Sequence, residues 1–184
     1  RWLLQWAARP YQRAGQWFRD KKKIEPAITH FLEAEDYVTA TKLLQEAIGI
    51  FLQRSEFTTV VEWASKIPND QLKKYPHLCT HIATLMLITG EPTDKIMTTF
   101  QPCKNMISDP EEQGDVQAFQ SILCALQGKT NESIDHAHKA FELLPEKEQF
   151  YRTLLLHYLY TMQYFKSGDV GAAFDTVQRT ILHL

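Results

Sequence analysis

The histidines, cysteines and adjoining carboxylates are the residues here that could do chemistry, and their spacing limits what that chemistry is. His77 and His81 stand four apart, so on a helix they share a face as metal ligands do. His136 and His138 stand two apart, which turns them to different sides. No carboxylate or cysteine is spaced to complete either set. Both pairs are therefore read as surface or edge-packed histidines, and no metal site is expected. Cys79, Cys103 and Cys124 are odd in number and far apart, with no CxxC among them. They read as small apolar residues in a reducing, cytoplasmic setting. Glu111–Glu112 and the pair Glu146 and Glu148 adjoin helix starts, where negative charge complements the macrodipole without acid–base work. Gly128-Lys129-Thr130 resembles the end of a phosphate-binding loop. That loop needs a glycine five places earlier, and position 123 is Leu123. No HExxH, GxSxG or Cys/His pattern of known spacing occurs. Neither catalysis nor a cofactor is expected of this chain.

Charge points the same way. With 20 basic and 22 acidic residues in 184, the net charge is −2, which gives no basic face for nucleic-acid phosphates. The lysines at 21–23 are too short a run for a nucleic-acid stripe and read as a solvated turn. No run of ~18 apolar residues occurs, so no membrane-spanning helix is expected. The chain opens on Arg1 rather than Met, and it is expected to be a piece of a longer protein.

The elements that must position these residues are helical throughout. Residues 1–9 read as the close of a preceding element, after which Pro10 suits the first turn of a helix over 11–21. In that helix Tyr11, Ala14, Gly15 and Phe18 recur at helical spacing, and Gly15 is placed for close approach of a partner helix. A helix over 24–34 carries Ala27, Ile28, Phe31 and Ala34. Asp36 caps a third, over 37–54, with Ala40, Leu43, Leu44, Ala47, Ile48, Phe51 and Leu52 as its buried stripe. Thr58 or Thr59 caps the next, which Pro68 to Asp70 breaks. Further helices follow over 75–89, from 93 or 94 towards 106, and over 111–127, 131–144, 147–166 and 170–184.

Hairpin turns fall near 22, 55, 90, 128 and 168, at separations of 33, 35, 38 and 40 residues. A drifting period of this length is the mark of a helical solenoid, so the expected class is all-α, a right-handed superhelix of antiparallel helical hairpins in one domain over 1–184. The pattern resembles tetratricopeptide repeats. Tyr11, Gly15, Phe18, Ala27, Phe31 and Ala34 occupy that family's six positions, and Ala137, Ala140 and Pro145 match it around Gly128. Tyr164 and Ala173 match it around Gly168, whereas the repeat at Gly90 matches mainly through Ala83. Over 11–78, the segments AGQWF, EPAITHFLEAEDY, the Trp63-to-Pro68 stretch ending in IP, and YPHL resemble the MalT-like helical domain of large ATP-dependent LuxR-family transcriptional activators. The resemblance implies a sensor arm that receives an inducer or a regulatory protein. ATP and DNA binding would belong to other parts of the parent protein.

In such solenoids the first helix of each hairpin lines the concave face. That register places Gln12, Gln16 and Arg19, then Lys42, Gln45 and Gln53, then His77, Thr80 and Thr84 on the inner side. Ile122, Leu126, Leu155, Tyr158, Met162 and Phe165 follow. A groove polar at its start and apolar at its end is expected, with the aromatic stretch over 147–166 as the first place to search. Packing between hairpins is the competing reading of those aromatics. The apolar residues Ile181, Leu182 and Leu184 are expected to meet further repeats or a second copy.

Overall fold

The computed structural model describes residues 2–104, 106–172, 174–175 and 178; the side chains of 2–7, 160, 163 and 165–167 lie outside that description, as does the apolar stripe at 181–184. Among the described residues the chain is helical, with no strand. The helices are α1 (Trp2–Asp20), α2 (Ile24–Glu33), α3 (Tyr37–Gln53), α4 (Phe57–Lys66), α5 (Asn69–Leu72), α6 (Pro76–Ile88), α7 (Thr93–Lys104), α8 (Pro110–Leu126), α9 (Thr130–Leu143) and α10 (Gln149–Ser167). The chain divides into two compact units, Arg1–Thr89 and Gly90–Leu184.

In the first unit α1 packs on α2, α2 on α3, and α4 on α6. Gly15 makes the first contact possible. A Cβ there would stand 3.1 Å from the Phe31 ring, closer than ordinary packing, so the glycine lets the ring lie against the α1 backbone. Ala27 and Ile28 are fully buried beside it, and each large apolar side chain so covered contributes about 1.5–3 kcal/mol. The α3 stripe from Ala40 to Leu52 is buried, with Phe51 edge-on to Trp63 of α4 at 5.1 Å. Helix α6 is buried from Leu78 to Leu87, as a helix apolar around its whole circumference must be.

In the second unit α8 packs on α9, and α10 packs on both. Ser121 and Ser133 exchange hydrogen bonds, each hydroxyl donating to the other's backbone carbonyl at 2.9 Å. Small residues at Ala118, Ala137 and Ala140 permit that approach.

One turn geometry recurs. Lys22, Glu35, Ser55 and Gly128 adopt positive φ. After each, the next N–H returns to the carbonyl five residues back: Lys23 to Phe18, Asp36 to Phe31, Glu56 to Phe51 and Lys129 to Cys124, at 2.9–3.0 Å. This Schellman closure satisfies helix-end carbonyls and reverses the chain. Gly90 and Gly168 also have positive φ.

Some boundaries differ from the sequence reading. Helix α1 runs unbroken through Pro10 rather than restarting there; the ring removes one ladder donor, and the helix tolerates it. Pro68 opens a short helix, α5, where only a break is predicted. Helix α4 begins at Phe57 behind Glu56, which makes no side-chain cap bond, so neither Thr58 nor Thr59 is the cap. Asp36 caps α3, accepting from Thr39 N at 3.2 Å and Thr39 Oγ1 at 2.9 Å.

Candidate binding surface on the first helix

The polar face of α1 is set by its apolar one. Gly15 and Phe18 turn towards α2, which leaves Gln12, Gln16 and Arg19 together on the exposed side, with Arg13, Trp17 and Asp20 beside them. Across from them stand Phe31 of α2 and Asp36 and Thr39 at the start of α3. These nine residues line an open hollow of about 500 Å³. Trp17 is 53% exposed, and its ring stands edge-on to Phe18 at 5.0 Å.

The hollow's two carboxylates are largely engaged by its own walls. Asp20 accepts from Gln16 Nε2 at 3.0 Å and lies 3.9 Å from Arg19 Nε. Asp36 is occupied by Thr39. The exposed Arg13 guanidinium and Gln12 amide are left to face a visitor. A flat indole, a guanidinium fork and an amide suit a peptide that brings a carboxylate and an apolar side chain. They hold no nucleophile and base in reach of one another. A smaller hollow of about 300 Å³ lies by the α1–α2 turn, lined by Lys22, Lys23, Ile50 and Arg54 among others.

The remaining sequence-predicted site residues do not join this surface. Lys42 is exposed and 4.0 Å from Glu46, and Gln53 is exposed. Gln45 is half-buried, with Nε2 3.4 Å from Nδ1 of half-buried His77. Thr84 is corrected to a core position: it is fully buried, and its hydroxyl donates to Thr80 O at 2.9 Å. Thr80 and Ile122 are fully buried too, whereas Leu126 is exposed. Leu155 and Met162 are likewise core, within a cluster of α8, α9 and α10 that includes Tyr151 and Leu159. Helical spacing brings them into that cluster and away from any groove. Tyr158 is half-buried at the cluster's edge, 5.7 Å from the His157 ring, and burial pushes its hydroxyl pKa up. Phe165 belongs to α10, and its side chain lies outside the described residues.

The other chemical candidates are placed as follows. His81 is buried rather than at a surface or edge, and burial and then the neighbouring His77 hold its pKa down at about 3. His136 donates from Nδ1 to Gln117 Oε1 at 2.7 Å, and His138 is exposed. Burial, then the charge of Lys139, lowers the His136 pKa. All three cysteines are buried, and burial raises the Cys124 thiol. Among the described residues no helix is long and apolar enough to cross a membrane.

Arg13, Trp17, Asp20, Phe31, Asp36 and Thr39 are the lining residues the sequence reading did not assign to a site. Trp17 carried a usable signal: a tryptophan off the apolar stripe, between Gln16 and Phe18 and four from Arg13. Asp36 and Thr39 reach the hollow only through the α2–α3 turn, which helical periodicity does not describe. No protein-family model, curated protein or solved structure matches the chain.

Proposed function

We propose that this chain is a binding module rather than an enzyme, one that presents the polar face of α1 to an extended segment of a protein partner. The observation that carries this reading is the convergence of Gln12, Gln16 and Arg19 with exposed Trp17 and Arg13 on one open hollow. Openness favours a segment over a small inducer, because small-molecule sites enclose most of their ligand. In this reading α1/α2 and α3/α4 of the first unit, and α8/α9 of the second, are tetratricopeptide-like hairpins of a right-handed solenoid. The resemblance over 11–78 makes the partner a regulatory protein and the chain the effector-binding arm of a MalT-like bacterial regulator. A general protein-interaction scaffold uses the same surface. A phosphate-binding loop upstream and a helix-turn-helix downstream in the parent reading frame would separate the regulator from the scaffold.

The direct test is selection of peptides from a random displayed library on the chain. Selected sequences are expected to share a carboxylate beside an aromatic or aliphatic residue. Trp17→Ala should weaken them by about 30-fold, as loss of a central tryptophan anchor does, with melting unchanged. Peptides that bind Trp17→Ala as tightly as the wild type would sink the reading. A sugar, amino acid or phenolic that raises the melting temperature and displaces them would move it to a small inducer.

A further inference from the structure

The smaller hollow of the first unit takes no part in the surface on α1. It lies between the α1–α2 turn, with the start of α2, and the last turns of α3, and its volume is about 300 Å³. That falls at the lower end of small-molecule pockets, ~300–1,000 Å³. Its walls differ in kind. On the α3 side Phe51 is buried, while Ile50 next to it is 46% exposed. Ile50 stands off the buried stripe of α3, and Arg54, four places on, shares its face. From the turn come Lys22 and Lys23, both exposed.

Charge gives this hollow its sign. Lys22, Lys23 and Arg54 stand against one lining carboxylate, Glu25, in a chain whose net charge is −2. Among the described residues no ion pair engages either lysine. Arg54 lies 3.8 Å from Glu56, a solvent-accessible pair of the kind worth little in water, so its guanidinium is free to turn to a ligand. The start of α2, which the Lys23 side chain does not cap, adds to a field that the three cationic side chains make. The lysine run is short for a nucleic acid, as its length predicts. The fold joins it to a cation from another helix and to an uncovered aliphatic side chain. A bare inorganic anion would leave Ile50 in water, and a neutral hydrophobe would leave the cations unanswered.

We propose that this hollow binds a small amphipathic organic anion, with its carboxylate or phosphate held by Lys22, Lys23 and Arg54 and its apolar body laid on Ile50 and Phe51. The head group gains charge-assisted hydrogen bonds, and the body removes the exposed Ile50 surface from water. The site is separate from the hollow on α1 and does not depend on what that surface binds.

The test is titration of the 184-residue chain with hexanoate and with phenyl phosphate, followed by backbone amide NMR, with hexanol and inorganic phosphate as controls. At least one of the two amphipathic anions is expected to saturate, with its largest shifts at residues 22–26 and 47–54. It should bind at least about 10-fold tighter than either control, since each control offers only half of the contact. The tighter of the two anions identifies the head group. Lys23→Gln combined with Arg54→Gln should weaken binding by about 10-fold or more, as loss of two charge-assisted contacts does. Ile50→Gln should weaken it by about 5-fold through lost apolar cover. Lys23, Ile50 and Arg54 are exposed, so these variants should melt as the wild type does. Trp17→Ala should bind the anion unchanged. No saturation by either anion, a control that binds as tightly as the anion, or wild-type affinity in the double variant overturns the proposal.

Discussion

Helix α10 carries Tyr151, Leu155, Leu159 and Met162 along one stripe, and all four are buried against α8 and α9. Helix α1 carries Tyr11 and Trp17, and leaves them 43% and 53% exposed. The aromatic-rich helix is where the sequence invites a search for a site, yet the structure puts this stripe to work as core. The difference lies in spacing. Tyr151, Leu155, Leu159 and Met162 recur every three or four residues, the period that points side chains at a neighbouring helix. Trp17 breaks that period, being set among Arg13, Gln16 and Asp20. Tyr151, on its stripe, packs, and Trp17, off its stripe, is available to a partner; Tyr11, on the α1 stripe, is only partly covered, its ring 6.0 Å from that of His30.

Truncation should separate the two helices most widely. Tyr151 is fully buried, with its ring 5.3 Å from Phe150. Tyr151→Ala is expected to cost about 3–5 kcal/mol, the range for a buried aromatic reduced to alanine. Trp17→Ala is expected to change stability by less than about 0.5 kcal/mol, as surface substitutions do. Urea denaturation followed by far-UV circular dichroism measures both. Equal losses would place Trp17 in a core and remove the basis for a binding face.

A pair of glycines tests how closely α1 is held. Gly15→Ala sets a Cβ 3.1 Å from the Phe31 ring, whereas a Cβ at Gly49 of α3 meets nothing within 4 Å. Alanine gains about 1 kcal/mol over glycine inside a helix. At Gly49 that gain stands alone, so Gly49→Ala should stabilise by about that amount. At Gly15 overpacking of about 1–3 kcal/mol opposes it, so Gly15→Ala should be destabilising by up to about 2 kcal/mol. A stabilised Gly15→Ala would show that the α1–α2 contact yields easily and that the hollow is not firmly shaped.

Asp36 stands at the hollow's edge and at the start of α3, so it joins fold to surface. Asp36→Ala removes the bonds from Thr39 N and Oγ1 and should cost about 1 kcal/mol, the usual loss of a cap. Asp36→Ser retains an acceptor and should recover most of it. If serine restores stability without restoring peptide binding, the carboxylate serves the surface as well as the helix.

Much of the helical layout is legible in the sequence because its causes are local. Asp36 is a capping residue before an apolar period, and the predicted α3 stripe is the buried one. Gly90 and Gly128 mark positive-φ turns because glycine takes that geometry without penalty. Lys22, Glu35 and Ser55 take it too, and nothing in their residue types announces it. The site is less legible. Gln12, Gln16 and Arg19 follow from the flank beside Gly15 and Phe18, but the wall from Asp36 and Thr39 depends on where the α2–α3 turn leaves the start of α3. The inner-face register also sent Thr84, Leu155 and Met162 to a groove. It assumes that the first helix of every hairpin keeps an exposed side, and α6, apolar all round, does not.

The smallest expected effect lies at the surface of the first unit, and there pH distinguishes charge from packing. Lys66 Nζ donates to Glu33 Oε1 at 2.8 Å, joining α4 to α2. That hydrogen bond, and then the charge of Lys66, hold the Glu33 carboxyl below its ordinary 4.5. A depressed carboxylate stabilises the fold above its unfolded pKa, where it is ionised in both states. Below about 4.5 the unfolded chain binds a proton that the folded chain still resists, so stabilisation is lost as pH falls through the folded value. The difference between wild type and Lys66→Met should therefore be small and constant at neutral pH, shrink as the acid range is entered, and fade in ~1 M salt, which screens exposed charges. The Tyr151→Ala loss reflects burial and should not respond to salt screening in this way. Methionine keeps an apolar stem, so if the lysine acts mainly by covering apolar surface, Lys66→Met should differ little from the wild type at any pH while Lys66→Ala loses stability in acid and salt alike.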